Sequence, residues 1–396
     1  MRLRVYSLLL LPFLLLGCDG ALNDIHGKGK KDGKNEQAEN LHHHIIVDAG
    51  SSKTSLYFYE YESENKELAT KIEIISFTTQ SPGIAEIQTS QIPTYLSKMF
   101  NDDLIEKIKK ASKKHNSAMP KLIQGIQFYS TAGMRDLSYS ERAEKNTAID
   151  TWLTKWVKDK DVHLTDNIEV KTVSGKEEGA YSWAAYNYIN HQFKSELDGI
   201  LEFGGASTQI AYQDVNLNNA NITIGGKDYP IYSQSYPLGR NVVKAALQNI
   251  DECHLLGYND SARGDYTSCR EAAKNVITKK IGETFQGNQY VNEFGLFAGF
   301  YYHAHFFDIK TNYSFKRLQD KADIFCSLDW EAAKGKYPNH DPEEMESYCM
   351  MAAFQGALLE DNYHLSDKHE FHPIQKVNDT KISWPMGLLI TQKYQE

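Results

Sequence analysis

Two short stretches of this 396-residue chain carry the same order of residue types. Val47-Asp48-Ala49-Gly50-Ser51-Ser52-Lys53-Thr54 and Leu201-Glu202-Phe203-Gly204-Gly205-Ala206-Ser207-Thr208 each pass from an apolar residue through an acid, one further residue and a glycine into small and hydroxylated residues. The two acids lie 202 − 48 = 154 residues apart. A bend of this composition lets the backbone approach a ligand closely, and its successive N–H groups form an anion-binding concavity. Gly50, Ser51, Ser52, Lys53 and Thr54 would build one such concavity, and Gly204, Gly205, Ala206, Ser207 and Thr208 the other. Facing each other, they would hold successive phosphates. Asp48 and Glu202, just before the bends, would repel those phosphates unless a cation stood between them, which implies Mg²⁺ or Ca²⁺ held mainly through waters. The bland alternative is a pair of ordinary strand-end carboxylates.

Two further segments add chemistry. Ser130-Thr131-Ala132-Gly133-Met134-Arg135 follows an apolar run and reads as a strand-to-helix connection, where helix N–H groups can meet an anion or a water. Arg135 there would contact phosphate or cap a surface ion pair. In Ser174-Gly175-Lys176-Glu177-Glu178 the S-x-x-E pattern of a capping box explains Glu177. Glu178 is left over, available as a general base for water, and the helix N-terminus would keep it ionised at neutral pH. An exposed first-turn glutamate is the competing reading.

These residues need elements to place them. Strand patterns occur at 45–47, 55–61, 72–78, 123–129, 199–203 and 209–213, and helical patterns at 91–115, 141–158, 175–194, 239–250, 270–282 and 342–362. The interleaving gives an α/β fold with mixed sheets, and the 154-residue repeat suggests a duplication whose halves present their bends to one another. The halves are expected at 41–160 plus 375–396, and at 161–374.

Lys+Arg number 43 against 52 Asp+Glu, a net charge of −9, so no nucleic-acid partner is expected. Arg2 and Arg4 precede an apolar run from Val5 to Leu16 that is too short for a membrane span of roughly 20 residues. Residues 1–18 therefore read as an export signal, and 19–40, rich in glycine and charge, as a disordered tether. Leu15-Leu16-Gly17-Cys18 resembles a lipobox, so a lipid anchor at Cys18 and plain cleavage both stand. Four cysteines remain. In an oxidising compartment they pair, and short loops close most cheaply, which favours Cys253–Cys269 and Cys326–Cys349 over the other two pairings. With no transmembrane span, the chain is expected to be exported: periplasmic, extracellular or lipid-tethered to an outer surface, and a monomer.

Together the four segments resemble the apyrase-conserved regions of the GDA1/CD39-type apyrase family, the ecto-nucleoside triphosphate diphosphohydrolases. Ser383-Trp384-Pro385-Met386-Gly387 suggests a fifth region. The resemblance implies two RNase H-like domains of the actin/Hsp70/sugar-kinase superfamily with an interdomain cleft. It implies hydrolysis of nucleoside tri- and diphosphates to the monophosphate, with Ca²⁺ or Mg²⁺ required. Carried over, Glu178 would be the base, Ser207 and Gln209 would hold the attacking water, and Thr131 would lie near metal and nucleophile. The two bends, with Ala132 and Gly133, would bind phosphates, and Asp48 and Glu202 would order the metal's waters. Phe354, in Tyr348-Cys349-Met350-Met351-Ala352-Ala353-Phe354, and Trp384 would stack on the nucleobase. Lys53 stands where many members have His, and Glu202-Phe203 replaces the common Asp-Leu. A sugar or acetate kinase, an exopolyphosphatase and a non-enzymatic nucleotide-binding module are the rival classes: the first needs an added acceptor to release phosphate from ATP, the second is told apart by competition with base-free polyphosphate, and the third turns over slowly.

Overall fold

The computed structural model describes residues 40–396 apart from 65–66, 115–117, 120, 195, 283–290 and 378–379. The expected export signal, Cys18 and all but the last residue of the expected tether lie outside the described residues. Runs rich in β-branched and aromatic residues form two large sheets, beside two small two-stranded ones. The first contains β1 (Leu41–Ala49), β2 (Thr54–Glu62), β3 (Thr70–Gln80), β4 (Ile126–Ser130) and β5 (Ile168–Thr172), in the order β3-β2-β1-β4-β5. The second contains β6 (Gly199–Phe203), β7 (Thr208–Gln213), β8 (Ala220–Ile224), β9 (Lys227–Tyr236), β10 (Glu293–Ala298), β11 (Glu370–Pro373) and β12 (Thr391–Gln395), in the order β11-β10-β6-β7-β9-β8-β12. Five of these, β9-β7-β6-β10-β11, repeat the arrangement of the first sheet: three antiparallel strands followed by two parallel ones. The duplication suggested by the 154-residue repeat is thus a duplication of sheet topology.

Successive residues of a strand face opposite sides of its sheet, and the central strands bury both. Ile45, Val47, Leu56 and Phe58 pack outward under α1 (Ile92–Met99), α2 (Asp102–Lys114) and α3 (Tyr139–Asp159), meeting Leu96, Ile108, Leu153 and Trp156. Ile46 and Tyr57 face inward, towards Ile200 and Ala211 of the other sheet, and α4 (Gly175–His191) fills the gap with Ala180, Trp183 and Ala184. The outer face of the second sheet, with Leu201, Phe203, Ile210 and Tyr212, is covered by α5 (Arg240–Leu247), α6 (Tyr266–Ile281), α7 (Gly299–Phe306), α8 (Phe315–Cys326) and α9 (Tyr348–Gly356). A last helix, α10 (Trp384–Ile390), joins α4 in the central layer, so close that a Cβ on Gly387 would lie 1.7 Å from the Tyr181 carbonyl oxygen. Each large side chain fully buried here is worth about 1.5–3 kcal/mol. Cys253–Cys269 and Cys326–Cys349 are both bonded, the sequence-local pairing, tying α6, α8 and α9 to their neighbours.

Some expectations change. The helical pattern at 91–115 is two helices, because the Asn101 side chain accepts the Leu104 N–H (3.1 Å) and starts a new one. The pattern at 342–362 divides into a short helix at Pro342–Met345, α9, and a π-helical turn at Ala357–Asn362. The boundary expected at 160 falls before β5, which completes the first sheet by pairing with β4. Residues 391–395, expected to return to the first half, pair instead with β8 in the second sheet. Among the described residues no helix is long and apolar enough to cross a membrane.

Candidate active site

Both glycine bends are four-residue hairpin turns in equivalent registers. Ala49 pairs with Thr54 to close the first and Phe203 with Thr208 to close the second, and 203 − 49 and 208 − 54 both equal 154. Each turn rests on a glycine that the sequence reading did not single out. A Cβ on Gly83 would lie 2.3 Å from the Ser51 carbonyl oxygen, and one on Gly239 would lie 2.3 Å from Ala206 backbone atoms. Each of these glycines is three residues beyond the outer of the three antiparallel strands common to the two sheets, which end at Gln80 and Tyr236, and each follows a proline, Pro82 directly or Pro237 by two residues. Backbone bonds from Arg240 to Gly204 (2.9 Å) and from Asn241 to Gly205 (2.8 Å) fix the second turn. The Asn241 amide also donates to the Ser52 hydroxyl at 3.2 Å, joining the two turns.

Between the turns lies a cavity of about 260 Å³ lined by Gly50–Lys53, Gly204–Ser207, Thr131, Ala132, Asp48, Glu178 and Glu202. Thr54 and Thr208 are wholly buried in the closing pairs of their hairpins and do not line it. Gly133 sits behind the first turn, where a Cβ would lie 2.9 Å from the Ser51 Cα.

Glu178 is held by a polar cluster. Its Oε2 accepts from Arg135 Nη1 and Nη2, both at 3.0 Å, and from Gln209 Nε2 at 3.1 Å. The Ser207 hydroxyl accepts from Arg135 Nη2 (3.1 Å) and from Gln209 Nε2 (2.8 Å). Arg135 therefore pairs within the site and not at the surface; it clamps the carboxylate. Glu177 makes half of the expected capping box: its N–H donates to Ser174 Oγ (3.1 Å), but its carboxylate takes Lys171 (2.7 Å) and Tyr181 (2.8 Å) instead of reaching back. Burial pushes the Glu178 carboxyl above the usual carboxylate range, and Arg135 opposes that push. Desolvation and one guanidinium therefore act on this carboxyl alongside the helix N-terminus that the sequence suggested.

The other two acids share the strain. Burial, reinforced by the Glu178 charge, raises Asp48 to about 7, against Lys381, a hydrogen bond from the Trp384 side chain, and Lys53. Glu202 is raised by burial and by the charges of Glu178 and Asp48, although Ser182 Oγ donates to its Oε2 at 2.6 Å. Hard carboxylate oxygens crowded until each disfavours its neighbour's ionisation suit a hard divalent cation, and Asp48 and Glu202 are the residues that would hold one.

A family model for the GDA1/CD39 (nucleoside phosphatase) family matches residues 34–250 and 247–395, nearly all of the described chain. The chain belongs to the GDA1/CD39 (nucleoside phosphatase) family. Ectonucleoside triphosphate diphosphohydrolase 1 of Mus musculus is 26% identical over 427 aligned residues, covering 89% of this chain and 81% of the relative. Ectonucleoside triphosphate diphosphohydrolase 3 of Homo sapiens is 24% identical, with 89% and 78% covered. Among solved structures, a nucleoside triphosphate hydrolase from Neospora caninum superimposes with a TM-score of 0.59 at 12% identity, covering 89% of this chain and 93% of the other. A Ppx/GppA family member from Aquifex aeolicus superimposes at 0.52, also at 12% identity, covering 88% and 97%. These two likenesses show the fold, that of paired RNase H-like domains.

In this nucleoside phosphatase family member the aromatic residues differ from expectation. Phe354 is wholly buried, its ring 5.2 Å from that of Phe203 in the outer core, so it has no face to offer a base. Trp384 reaches the cavity but is buried, with Tyr129 and Tyr181 each 6.4 Å away and its side chain bonded to Asp48. The rings nearer solvent are Tyr301 and Tyr302 at the start of α7, the second of them 54% exposed and bonded to Gln375 (2.6 Å). They follow Ala298, held at φ +51° on the cavity wall. That segment is the second-half counterpart of Ser130–Arg135, since β10 lies beside β6 as β4 lies beside β1. The fixed spacing does not lead to it, because Ser130 and its counterpart Ala298 are 298 − 130 = 168 residues apart. Lys381 also lines the cavity, donating to the Tyr57 hydroxyl at 3.2 Å, and no local pattern marks it.

Proposed function

We propose that this chain hydrolyses nucleoside 5′-tri- and diphosphates to the monophosphate and phosphate, by direct in-line attack of a water that Glu178 deprotonates. The observation that carries the reading is the hydrogen-bonded cluster of Glu178, Gln209 and Ser207 where two duplicated glycine turns meet. Those turns supply backbone N–H groups for the phosphates, and Lys53 a point charge for the terminal one. Ser207 and Gln209 orient the water, with Thr131 beside it, and Glu178 takes its proton. A positioned base of this kind contributes about 10²–10⁴ in rate. A Mg²⁺ or Ca²⁺ ion at Asp48 and Glu202 would neutralise charge on the polyphosphate. No covalent intermediate is needed, because the transfer demands positioning and electrostatics more than nucleophile chemistry.

Tyr301 and Tyr302, in place of Phe354 and Trp384, would give the nucleobase its platform, and stacking of that kind tolerates any base. The two disulfides support an exported protein, either lipid-anchored at Cys18 or released by plain cleavage, acting as a monomer on free nucleotides. The test is phosphate release, with no added acceptor, from ATP, ADP, AMP and base-free tripolyphosphate, with and without EDTA. Release from ATP and ADP alone, abolished by EDTA, is expected. Release only in the presence of an acceptor, or tripolyphosphate as the better substrate, overturns the reading.

A further inference from the structure

Behind the candidate base lies a second cavity, of about 390 Å³, which shares a wall with the first: Ala132, Ala206 and Ser207 line both. Arg135 lines the rear cavity, while its guanidinium bonds Glu178 and Ser207, which line the front one. At its far side the rear cavity reaches exposed residues, Asp136 and Pro237. One planar side chain and a few small residues therefore separate the phosphate turns from a cavity that reaches exposed residues and is not lined by Tyr301 or Tyr302.

We propose that this rear cavity is the exit for orthophosphate and that Arg135 is its gate. The inference rests on the hydrolysis assigned above. As the water oxygen bonds to the terminal phosphorus and the bond to the leaving phosphate breaks, phosphorus moves away from the nucleotide and towards the incoming oxygen. That direction is the wall of Ser207, Gln209 and Arg135. The water's proton passes to Glu178, which weakens its ion pair with Arg135 at the moment a phosphate dianion arrives beside that guanidinium. The shorter nucleotide still fills the front cavity, so the rear is the path left open. Beyond Arg135 the lining is of mixed sign: Lys176 attracts the anion, while Asp136 and Glu396, the latter bonded to Ser174, repel it. Mixed charge suits passage over retention.

The test narrows the rear cavity without touching the cluster, using Lys176→Trp and, on a separate element, Asp136→Trp. Total phosphate after acid quench reports the chemical step, and a fluorescent phosphate-binding protein reports free phosphate. In a single turnover of both variants total phosphate should form at the parent rate while free phosphate lags by roughly tenfold or more, and under multiple turnover kcat should fall to match. Lys176→Ala and Asp136→Ala should show no lag. Free and total phosphate rising together in both tryptophan variants overturns the proposal. A check on the unmodified enzyme needs no folded variant: orthophosphate and nucleoside monophosphate should inhibit jointly, and mutually exclusive inhibition overturns the proposal equally. Absence of quenched phosphate even from the parent would instead condemn the hydrolytic reading, and the exit with it.

Discussion

Arg135 places both terminal guanidinium nitrogens on one oxygen of Glu178, Oε2, at 3.0 Å each, and Gln209 adds a third bond to the same atom. Among the described residues Oε1 accepts none. One carboxylate oxygen is fixed and the other is left to take a proton, which is the division of labour a general base needs. Glu178→Gln keeps the fixed side and loses the basic one. Its kcat should fall by about 10²–10⁴ while nucleotide still binds, as read by quench kinetics and calorimetry. Glu177→Gln, which loses partners in Lys171 and Tyr181, should lower the melting temperature slightly and leave kcat near the parent value. A large, purely kinetic defect at 177 would mean the neighbouring carboxylate is the base.

The same clamp sets a pH dependence. Burial raises the Glu178 carboxyl and Arg135 holds it down, so removing the guanidinium raises it further. A base protonated at higher pH is lost at higher pH. Arg135→Ala should therefore move the acid limb of the kcat/KM profile upward, and Arg135→Lys, which keeps the charge but not the fork, should move it less. An unmoved acid limb in Arg135→Ala would show that Glu178 is not the titrating group.

Gly239 supports Ala206 and Ser207 as Gly83 supports Ser51, by backbone approach that leaves no room for a Cβ. Gly239→Ala must push the second turn out of place, at a cost of about 1–3 kcal/mol, and should lower both the melting temperature and kcat. Gly335, in the short helix Trp330–Lys336, has nothing within 4 Å of an added Cβ. Gly335→Ala should be stabilising by about 0.4–1 kcal/mol with activity unchanged. Equal behaviour of the two variants would remove the supporting role from Gly239.

What the sequence discloses follows from how local each determinant is. The two turns could be found because acid, glycine and hydroxyl types sit within a few residues of one another, and a fixed spacing of 154 relates them. Gly83, Gly239 and Asn241 escape because their work is done on a backbone far away along the chain. Phe354 illustrates the opposite failure: an aromatic on a helix next to a recognisable segment carries no sign of which way it faces, and here it faces Phe203. The burial that raises the Glu178 carboxyl, and the Arg135 guanidinium that opposes it, have no local pattern in sequence, whereas helix position does. β12 reads as a polar tail, Thr391-Gln392-Lys393-Tyr394-Gln395, and becomes a strand because the edge of β8 is open to pair with it.

The aromatic substitution separates base from phosphate recognition. Tyr302→Ala should raise KM for ATP and ADP, since a lost stacking partner costs about 1–3 kcal/mol, and leave competitive inhibition by base-free tripolyphosphate unchanged. Phe354→Ala should act on folding instead, losing about 3–5 kcal/mol of stability by leaving a hole against Phe203. A folded Phe354→Ala protein with a selective rise in nucleotide KM would restore that residue as the platform.

Asp48 links the cation to stability. Its folded value of about 7 lies above the ordinary 3.8, so between about pH 4 and 7 the native protein holds a proton that the unfolded chain has lost. Without a divalent ion, stability on this account declines as pH rises through that window, by up to roughly 1.4 kcal/mol per unit. Glu202 acts in the same direction. A cation that binds the ionised pair reverses the loss, so the rise in melting temperature on adding Ca²⁺ or Mg²⁺ should be larger at pH 8 than at pH 6. Asp48→Asn removes one of the crowded charges: its ion-free form should melt higher than the parent at pH 8, and the response to cation should shrink. An increment independent of pH, or one undiminished in Asp48→Asn, would place the cation elsewhere.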